Sequence, residues 1–448
     1  MRIGIDARFL GPGGTGIGRY TQKLIENLEK IDGSTTLTTS GSTHSITTQG
    51  RLERSREATS SPQARNEYVI FLRKENFNLY HPVNTNFHKA LADIPWYGVK
   101  EQILLPTIFG KEKLDLLHVP HFNVPIFYRG KFVITIHDLI KNEWGGTEAT
   151  TRGPLEYRVK RLGYNFVIRC AVRRARAIIT PSNYVKERVV ELFHVASKKV
   201  VVTYEAGMLG GKERTAGERK IKDVLGKFRI TKPYFLYVGN VYPYKNVGRL
   251  LEAIKILNED PSISLRVNPS ISLRINPSTR STLTQGRTEQ SRSATSLRVK
   301  KPVQLVLVGA RDVFRERLKR EIVEKDALKY VVLTGYISDP DLVDLYQGAE
   351  AYVQPSLSEG FGLTSVEAMS LGTPVVEANA SCLPEVAGDA ALFFDPYDPK
   401  DIAEKLDKVL GNRALRQRLA KRGLARAKKF SWRWMVQQTL KVYEEAVS

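Results

Sequence analysis

Apolar positions along this chain recur with two periods. In "GIGRYTQKLIENLEKI" (16–31) they fall on one side of a 3.6-residue helix. By contrast "RIGIDARFL" (2–10), "EYVIFL" (67–72), "LLHVP" (116–120), "FVITIHD" (132–138) and "AIITPS" (177–182) are short apolar runs of strand type. Between the last two, "PLEYRVKRLGYNFVIRCAVRRA" (154–175) reads as a basic amphipathic helix. Near Lys232 the alternation restarts with the strand "YFLYVGN", the helix "NVGRLLEAIKILNE" and the strand "VQLVLVG". It continues with the helix "RERLKREIVEKDAL", the strand "VVLTGYI", the helix "DPDLVDLYQGA" and the strand "AYVQPS". Strands that look buried on both faces and alternate with helices predict parallel α/β layers, and the restart predicts two such domains, 1–225 and 226–429.

Two stretches break the pattern. Residues 45–60, "SITTQGRLERSREATS", match residues 281–296, "STLTQGRTEQSRSATS", at 11 of 16 positions. "PSISLRVN" (261–268) is followed at once by "PSISLRIN" (269–276). Rich in Ser, Thr, Arg and Gln, these segments bury too little surface to offset ordering entropy. They are expected to be two insertions, 34–66 and 261–301, each after the first helix of a domain and before its second strand. Such loops lie at the N-terminal edge of a doubly wound sheet, and ligands bind at the opposite edge.

Net charge is +22 with pI ≈ 9.8, which points to an anionic partner: nucleic acid, a phosphate-bearing ligand or an acidic membrane face. The two repetitive stretches carry much of that charge. Residues 261–301 hold eight Lys/Arg and one Glu, and residues 35–66 four Arg and two Glu, together +9 of the +22. The remaining basic residues show neither an aromatic stacking platform nor a recognition helix, so no nucleic acid is expected as a partner. No run of 18 apolar residues predicts a membrane span, and "MRIGIDARFLGPGG" lacks the apolar core of a signal peptide. Cys170 and Cys382 have no zinc-type or redox-type neighbours and read as buried thiols of a cytoplasmic protein. "HVPH" (118–121) and "DPDLVD" (339–344) look like metal motifs, but their spacing favours structural histidines and a helix cap behind Ser338.

The chemistry concentrates in "SLSEGFGLTSVEAMSLGTPVV" (356–376). A strand ends in a glycine turn carrying Glu359, and a helix follows carrying Glu367 eight positions later. Gly360 and Gly362 let the backbone approach a ligand, and the helix N-terminus suits a diphosphate. One carboxylate can then serve the polar head of a phosphate-centred ligand, and the other its vicinal hydroxyls.

Glu359–x7–Glu367 in this context resembles the signature of family 4 retaining glycosyltransferases of the GT-B fold. "GGTGIGRY" (13–20), "ITIHDL" (134–139), "ITPSNYVKERV" (179–189), "YVGNVYPYKN" (237–246), "SCLPEVAGDAALFFDPYD" (381–398) and "FSWRWMVQQTLKVYEEA" (430–446) resemble further segments of that family, in order. The resemblance covers nearly the whole chain outside the insertions. It implies two Rossmann-like domains facing across a cleft, the first binding the acceptor and the second the nucleotide sugar, with a closing helix 430–448 packed back on the first. Carried over by position, Lys245 neutralises the donor diphosphate, approached through Gly239 and Asn240. Glu359 with the Gly360–Phe361–Gly362 backbone, followed by Leu363 and Thr364, holds the donor sugar, and Glu367 binds the ribose. His137 faces the transferred sugar or the acceptor, which Gly16, Gly18 and Asp138 line. The family often has an arginine just after the phosphate-loop glycine or just before its lysine; Asn240 and Tyr244 stand there in this chain.

The first half looks closest to bacterial mannosyltransferases of the O-chain type. The expected donor is GDP-mannose, then UDP-glucose, and the acceptor a glycan or lipid-linked hydroxyl. No cofactor or metal is expected, and the setting is the cytoplasmic face of the membrane. A sugar-nucleotide epimerase of the same fold and a basic nucleic-acid-binding protein are the rival readings.

Overall fold

The computed structural model describes residues 1–11, 16–33, 66–144, 154–207, 218–260, 302–309 and 313–448. Among them are two all-parallel sheets. The first has seven strands: β1 (Arg2–Asp6), β2 (Glu67–Leu72), β3 (Phe87–Leu91), β4 (Leu116–Val119), β5 (Phe132–Thr135), β6 (Ala177–Thr180) and β7 (Val200–Val202). Their order is β3-β2-β1-β4-β5-β6-β7. The second has six: β8 (Tyr234–Gly239), β9 (Gln304–Gly309), β10 (Val331–Gly335), β11 (Ala351–Gln354), β12 (Val375–Ala378) and β13 (Ala391–Phe394). Its order is β10-β9-β8-β11-β12-β13. Both are doubly wound sheets, as the apolar pattern predicts. The order reverses between β1 and β4 in one and between β8 and β11 in the other, and ligands of such sheets bind outside the carboxyl ends at those points.

Each sheet is covered on both faces. Leu24, Leu28, Ile70 and Val442 pack one face of the first sheet; Phe71, Phe109, Ile168 and Val189 pack the other. Leu250, Ile254, Leu305 and Leu406 do the same on one side of the second, and Tyr346, Val366, Met369 and Val386 on the other. The last helix, Trp432–Val447, leaves the second domain and lies against the helix Gly16–Gly33 and strands β4, β5 and β6. Its Tyr443 hydroxyl meets His118 Nδ1 at 2.6 Å, while His118 Nε2 meets Thr135 Oγ1 at 2.9 Å. Burial pushes His118 down to about 3, so the ring is neutral and bridges two hydroxyls. His121 is also buried among aromatic rings, and Ser338 caps the helix Asp339–Gly348 through the Asp341 amide. The metal-like motifs therefore act as structure among the described residues.

Several elements differ from the sequence reading, which also named none of β7, β12 and β13 as strands. β1 stops at Asp6 instead of running to residue 10. Arg8 folds back on Asp6 (Nη2–Oδ2 2.8 Å) and also holds Glu101 (2.7 Å), with all three side chains buried, and this ionic triad turns the chain out of the sheet. The edge strand β3, "FHKAL", and the helix Val99–Lys111 were not predicted. The strand is only partly covered, and the helix carries Pro106, which obscures its period.

Both insertions, 34–66 and 261–301, lie outside the described residues but for Asn66, yet the chain on either side is well tied. Tyr68 donates to Asp32 Oδ2 (2.7 Å), and the Met1 amino group reaches Asn66 Oδ1 (3.3 Å). Asn258 pairs with the Val303 backbone through both its amide nitrogen (3.1 Å) and its oxygen (2.8 Å). All these ties sit at the N-terminal edge of the strands. Closure entropy grows by only about 0.6 kcal/mol per doubling of loop length. Replacing 34–65 and 261–301 by short glycine–serine turns is therefore expected to leave the thermal unfolding midpoint unchanged or slightly higher. A lower midpoint in either variant would show that an inserted segment packs on its domain.

Candidate functional site

The expected site residues come from loops at the carboxyl ends of both sheets. From β8, Gly239 leads into Asn240 and a short 3-10 turn, Pro243–Lys245. From the adjacent β11, residues 355–362 lead into the helix Leu363–Ser370, with Gly362 at φ +80° in the left-handed region before its first turn. These two loops flank the strand-order reversal of the second sheet and meet. Lys245 Nζ lies 2.6 Å from Glu359 Oε1, and Gln354 Nε2 donates to the same oxygen. The Leu357 amide donates to the Tyr244 carbonyl at 2.8 Å, tying the loops together through the backbone.

The first domain closes the site from the other side. A Cβ at Gly360 would lie 1.8 Å from the His137 carbonyl oxygen, so only glycine fits. Ser182 Oγ donates to the Gly360 carbonyl (2.7 Å), and Ser358 Oγ to Glu143 (3.0 Å). Glu385 of the second domain accepts from the Asn183 and Tyr184 amides (2.8 and 2.9 Å) at the start of the helix Asn183–Phe193, and from Tyr204 (2.9 Å). A carboxylate at a helix N-terminus gains from the exposed amides and the helix dipole together.

Within this frame the side chains divide. Phe361 is buried with Tyr204 and Phe430, so only its backbone faces the turn. Thr364 is held by Tyr352 (2.7 Å), which also turns it inward. Leu363 opens the helix, packed against the core. Glu367 sits one turn further on and is buried, its backbone against Gly207 of the first domain. Burial first, and then the Glu367 charge, hold the Tyr346 hydroxyl well above its ordinary value, while Arg19 draws it down. A cation of the helix Gly16–Gly33 thus reaches the Glu367 region. Gly16 begins that helix with open space around it, and Gly18 lies within its first turn. The Asn240 carbonyl accepts from Tyr237, and Tyr242 stacks on Tyr244 (5.6 Å, 7°) beside Lys245. Asn240 and the Tyr244 ring therefore stand where the resembling family often has arginine.

His137 has both ring nitrogens in use. Nδ1 is 3.0 Å from Glu205 Oε1 and Nε2 is 3.1 Å from the Pro120 carbonyl. Both partners are acceptors, an arrangement that favours the doubly protonated ring. Burial pulls its pKa down, but the Glu205 hydrogen bond and charge, with Asp138, outweigh it, and the net shift is upward. The ring thus has both nitrogens engaged, in surroundings that favour its positive form. Next to it, Asp138 accepts from the Ile140 amide (3.1 Å); solvent reaches it from the cleft, but the surrounding protein raises its pKa against the pull of His137 and Lys141.

Glu205, Ser182 and Glu385 escaped the sequence reading because each acts through a contact between distant segments, and Gln354 because a strand-end amide reaching Glu359 five residues on has no pattern of its own. Glu377 escaped it too. It is fully buried under the helix Leu363–Ser370, accepts from Ser365 Oγ (2.6 Å), and burial pushes it up to about 8, which favours its neutral form.

The His137–Glu205 pair is testable by pH. In Glu205→Gln, burial outweighs the remaining contacts, so the His137 midpoint followed by NMR should fall below that of a free histidine. In the native protein it should lie above it. The pair stabilises the fold below the free-histidine value, and that contribution fades as pH rises through the raised value. An unchanged midpoint in the variant would contradict the assignment.

Comparison with known proteins agrees with this geometry. The profile described as Glycosyltransferase Family 4 matches residues 15–206, and that described as Glycosyl transferases group 1 matches residues 280–426. The chain is 28% identical over 437 residues to the O-antigen chain mannosyltransferase B of Escherichia coli, covering 96% of both chains. It is 23% identical over 322 residues to the O-antigen chain mannosyltransferase RfbU of Salmonella typhimurium, covering 71% of each. Among solved structures, Anabaena HepE in complex with UDP-glucose superposes with a TM-score of 0.64 at 14% identity, covering 99% of both chains, a likeness of fold.

Proposed function

Because this chain belongs to the glycosyltransferases, with a family 4 domain in its first half and a group 1 domain in its second, we propose that it moves mannose from GDP-mannose to an acceptor hydroxyl with retention at the anomeric carbon. UDP-glucose is the second choice of donor. The observation that carries this reading is the meeting of Lys245 and Glu359 at the reversal point of the second sheet, pressed against His137 of the first. The mannosyltransferase names of its relatives support the choice of sugar. The epimerase and nucleic-acid readings have no support from those relatives.

In the proposed reaction the bond from the sugar C1 to the diphosphate oxygen breaks. A bond from C1 to the acceptor oxygen forms on the same face, and the acceptor proton passes to the departing phosphate. The developing phosphate charge is the costly part. Lys245 turns from Glu359 to the diphosphate, and the amides at the start of Leu363–Ser370 point the same way. Glu359, released, holds the sugar hydroxyls; Glu367 takes the ribose; the His137 cation favours the anionic donor. None of these roles requires a cofactor or a metal.

We also place the protein on an anionic membrane face. No helix among the described residues is long and apolar enough to cross a membrane. The helix Pro154–Arg174 instead exposes Val159, Leu162 and Phe166 beside Arg158 and Arg169, and nearby Val99, Ile103 and Phe127 are exposed as well. Each basic residue close to such a surface contributes about 1 kcal/mol at best. Binding to phosphatidylglycerol vesicles should fall with salt, and equal binding to neutral vesicles would contradict the electrostatic part.

Donor binding supplies the sharper test. Lys245→Ala and Glu367→Ala should each weaken GDP-mannose binding by about tenfold or more, as the loss of a charged hydrogen bond does. Glu359→Ala should act mainly on turnover, since its partner is the transferred sugar. Calorimetric titration with GDP-mannose checks all three; unchanged affinity in the Lys245 and Glu367 variants would overturn the site.

A further inference from the structure

The cleft holds a second lysine that the proposed reaction leaves unused. Lys141 follows Asp138 on the short helix Ile140–Glu143 of the first domain. Its ammonium lies 5.0 Å from the Tyr97 ring centre, 5.7 Å from Tyr164 and 5.8 Å from Phe122. The box is itself fixed: Tyr164 donates to Asn142 (2.6 Å), its ring meets Phe122 edge to face (4.9 Å), and Tyr97 leans on His121. Three aromatic faces hold a cation through their quadrupoles and cover its stem, but they accept no ordinary hydrogen bond from its protons.

Lys141 differs in this from Lys245, whose charge is met by Glu359. Among the described residues Lys141 makes neither a hydrogen bond nor an ion pair; burial lowers its pKa, against the opposing pull of the Asp138 charge. Lys141 is exposed as a residue, and its ammonium faces aromatic rings with no protein acceptor among the described residues. A cation held in this way is complementary to a fixed anion from outside the protein.

The position of the box identifies the anion's owner. Asp138 touches the donor-sugar turn, its Cβ lying 3.4 Å from where Gly360 would carry one. The donor's diphosphate belongs to Lys245 in the other domain, so an anion at Lys141 comes with the other substrate. On its outer side the box runs into exposed apolar residues: Tyr97 is 56% exposed, and Val99 and Ile103 follow it. An anion with saccharide on its cleft side and hydrocarbon on its outer side is a phosphate joining a glycan to a lipid.

We propose, resting on the glycosyltransferase reading above, that Lys141 in its Tyr97–Phe122–Tyr164 box binds the phosphate or diphosphate of a lipid-linked acceptor. Because Lys141 stands three residues from Asp138, the reacting hydroxyl lies only a short saccharide away from that phosphate. The enzyme then acts near the lipid end of a growing chain, and the reaction supplying its substrate is one that attaches the first sugar phosphate to the lipid.

The test is calorimetric titration of the full chain with farnesyl diphosphate, in saturating GDP so that the donor site is closed. Lys141→Met should weaken binding by about tenfold, with Lys141→Arg recovering most of it. The affinity of Lys141→Met for GDP should equal that of the native protein, which also reports that the variant is folded. Equal farnesyl diphosphate affinity in native and Lys141→Met protein would overturn the proposal. So would a parallel loss of binding to phosphatidylglycerol vesicles, which would assign the anion to a bilayer headgroup. If GDP bound neither protein, the GDP-mannose reading would fail, and the farnesyl diphosphate titration would still decide the role of Lys141.

Discussion

The Glu359 carboxylate takes the Lys245 ammonium and the Gln354 amide on one oxygen, and the next residue has no room for a side chain against the His137 carbonyl. These contacts join three loops from two sheets. The first two come from neighbouring strands where the order reverses; the third comes from the facing domain. Remove the glycine and the domains cannot meet there. Remove the carboxylate and the lysine has no reason to lie across the turn. The rest of the site is built around that junction: Ser182 on the Gly360 carbonyl, Glu385 on the amides of the helix Asn183–Phe193, and the last helix tied under the first sheet by His118.

The charges have a consistent arrangement. A half-buried ion pair such as Lys245–Glu359 gains little net stability, because desolvation offsets most of its attraction. Its value is positional. It fixes an ammonium across the turn that leads into the helix Leu363–Ser370, where in the proposed reaction a diphosphate replaces the carboxylate. On the facing side Glu205 and the Pro120 carbonyl favour the protonated form of His137, while burial of Glu377 under the helix favours its neutral form.

Much of this was legible in the sequence. Uninterrupted apolar runs alternating with helical periods specify parallel sheets because such strands must be covered on both faces. Turn glycines and the paired glutamates marked the loops, since their requirements are local. β3 and the helix Val99–Lys111 were not legible: one is a thin edge strand, and the other has its period broken by Pro106. The end of β1 was hidden by the Arg8 triad, whose third member, Glu101, is far along the chain. The same reason hid Glu205 and Glu385. A single acid at the end of an apolar run has no local signature, and its role exists only once another segment arrives beside it.

The central claim is that Lys245 is a diphosphate ligand held in waiting by Glu359. A crystal structure of the complex with GDP-mannose tests it most directly. The account predicts the diphosphate within hydrogen-bond reach of Lys245 Nζ and of the first amides of Leu363–Ser370, with Glu359 turned to the sugar and its bond to Lys245 broken. A diphosphate bound elsewhere, with the Lys245–Glu359 pair intact, would contradict it.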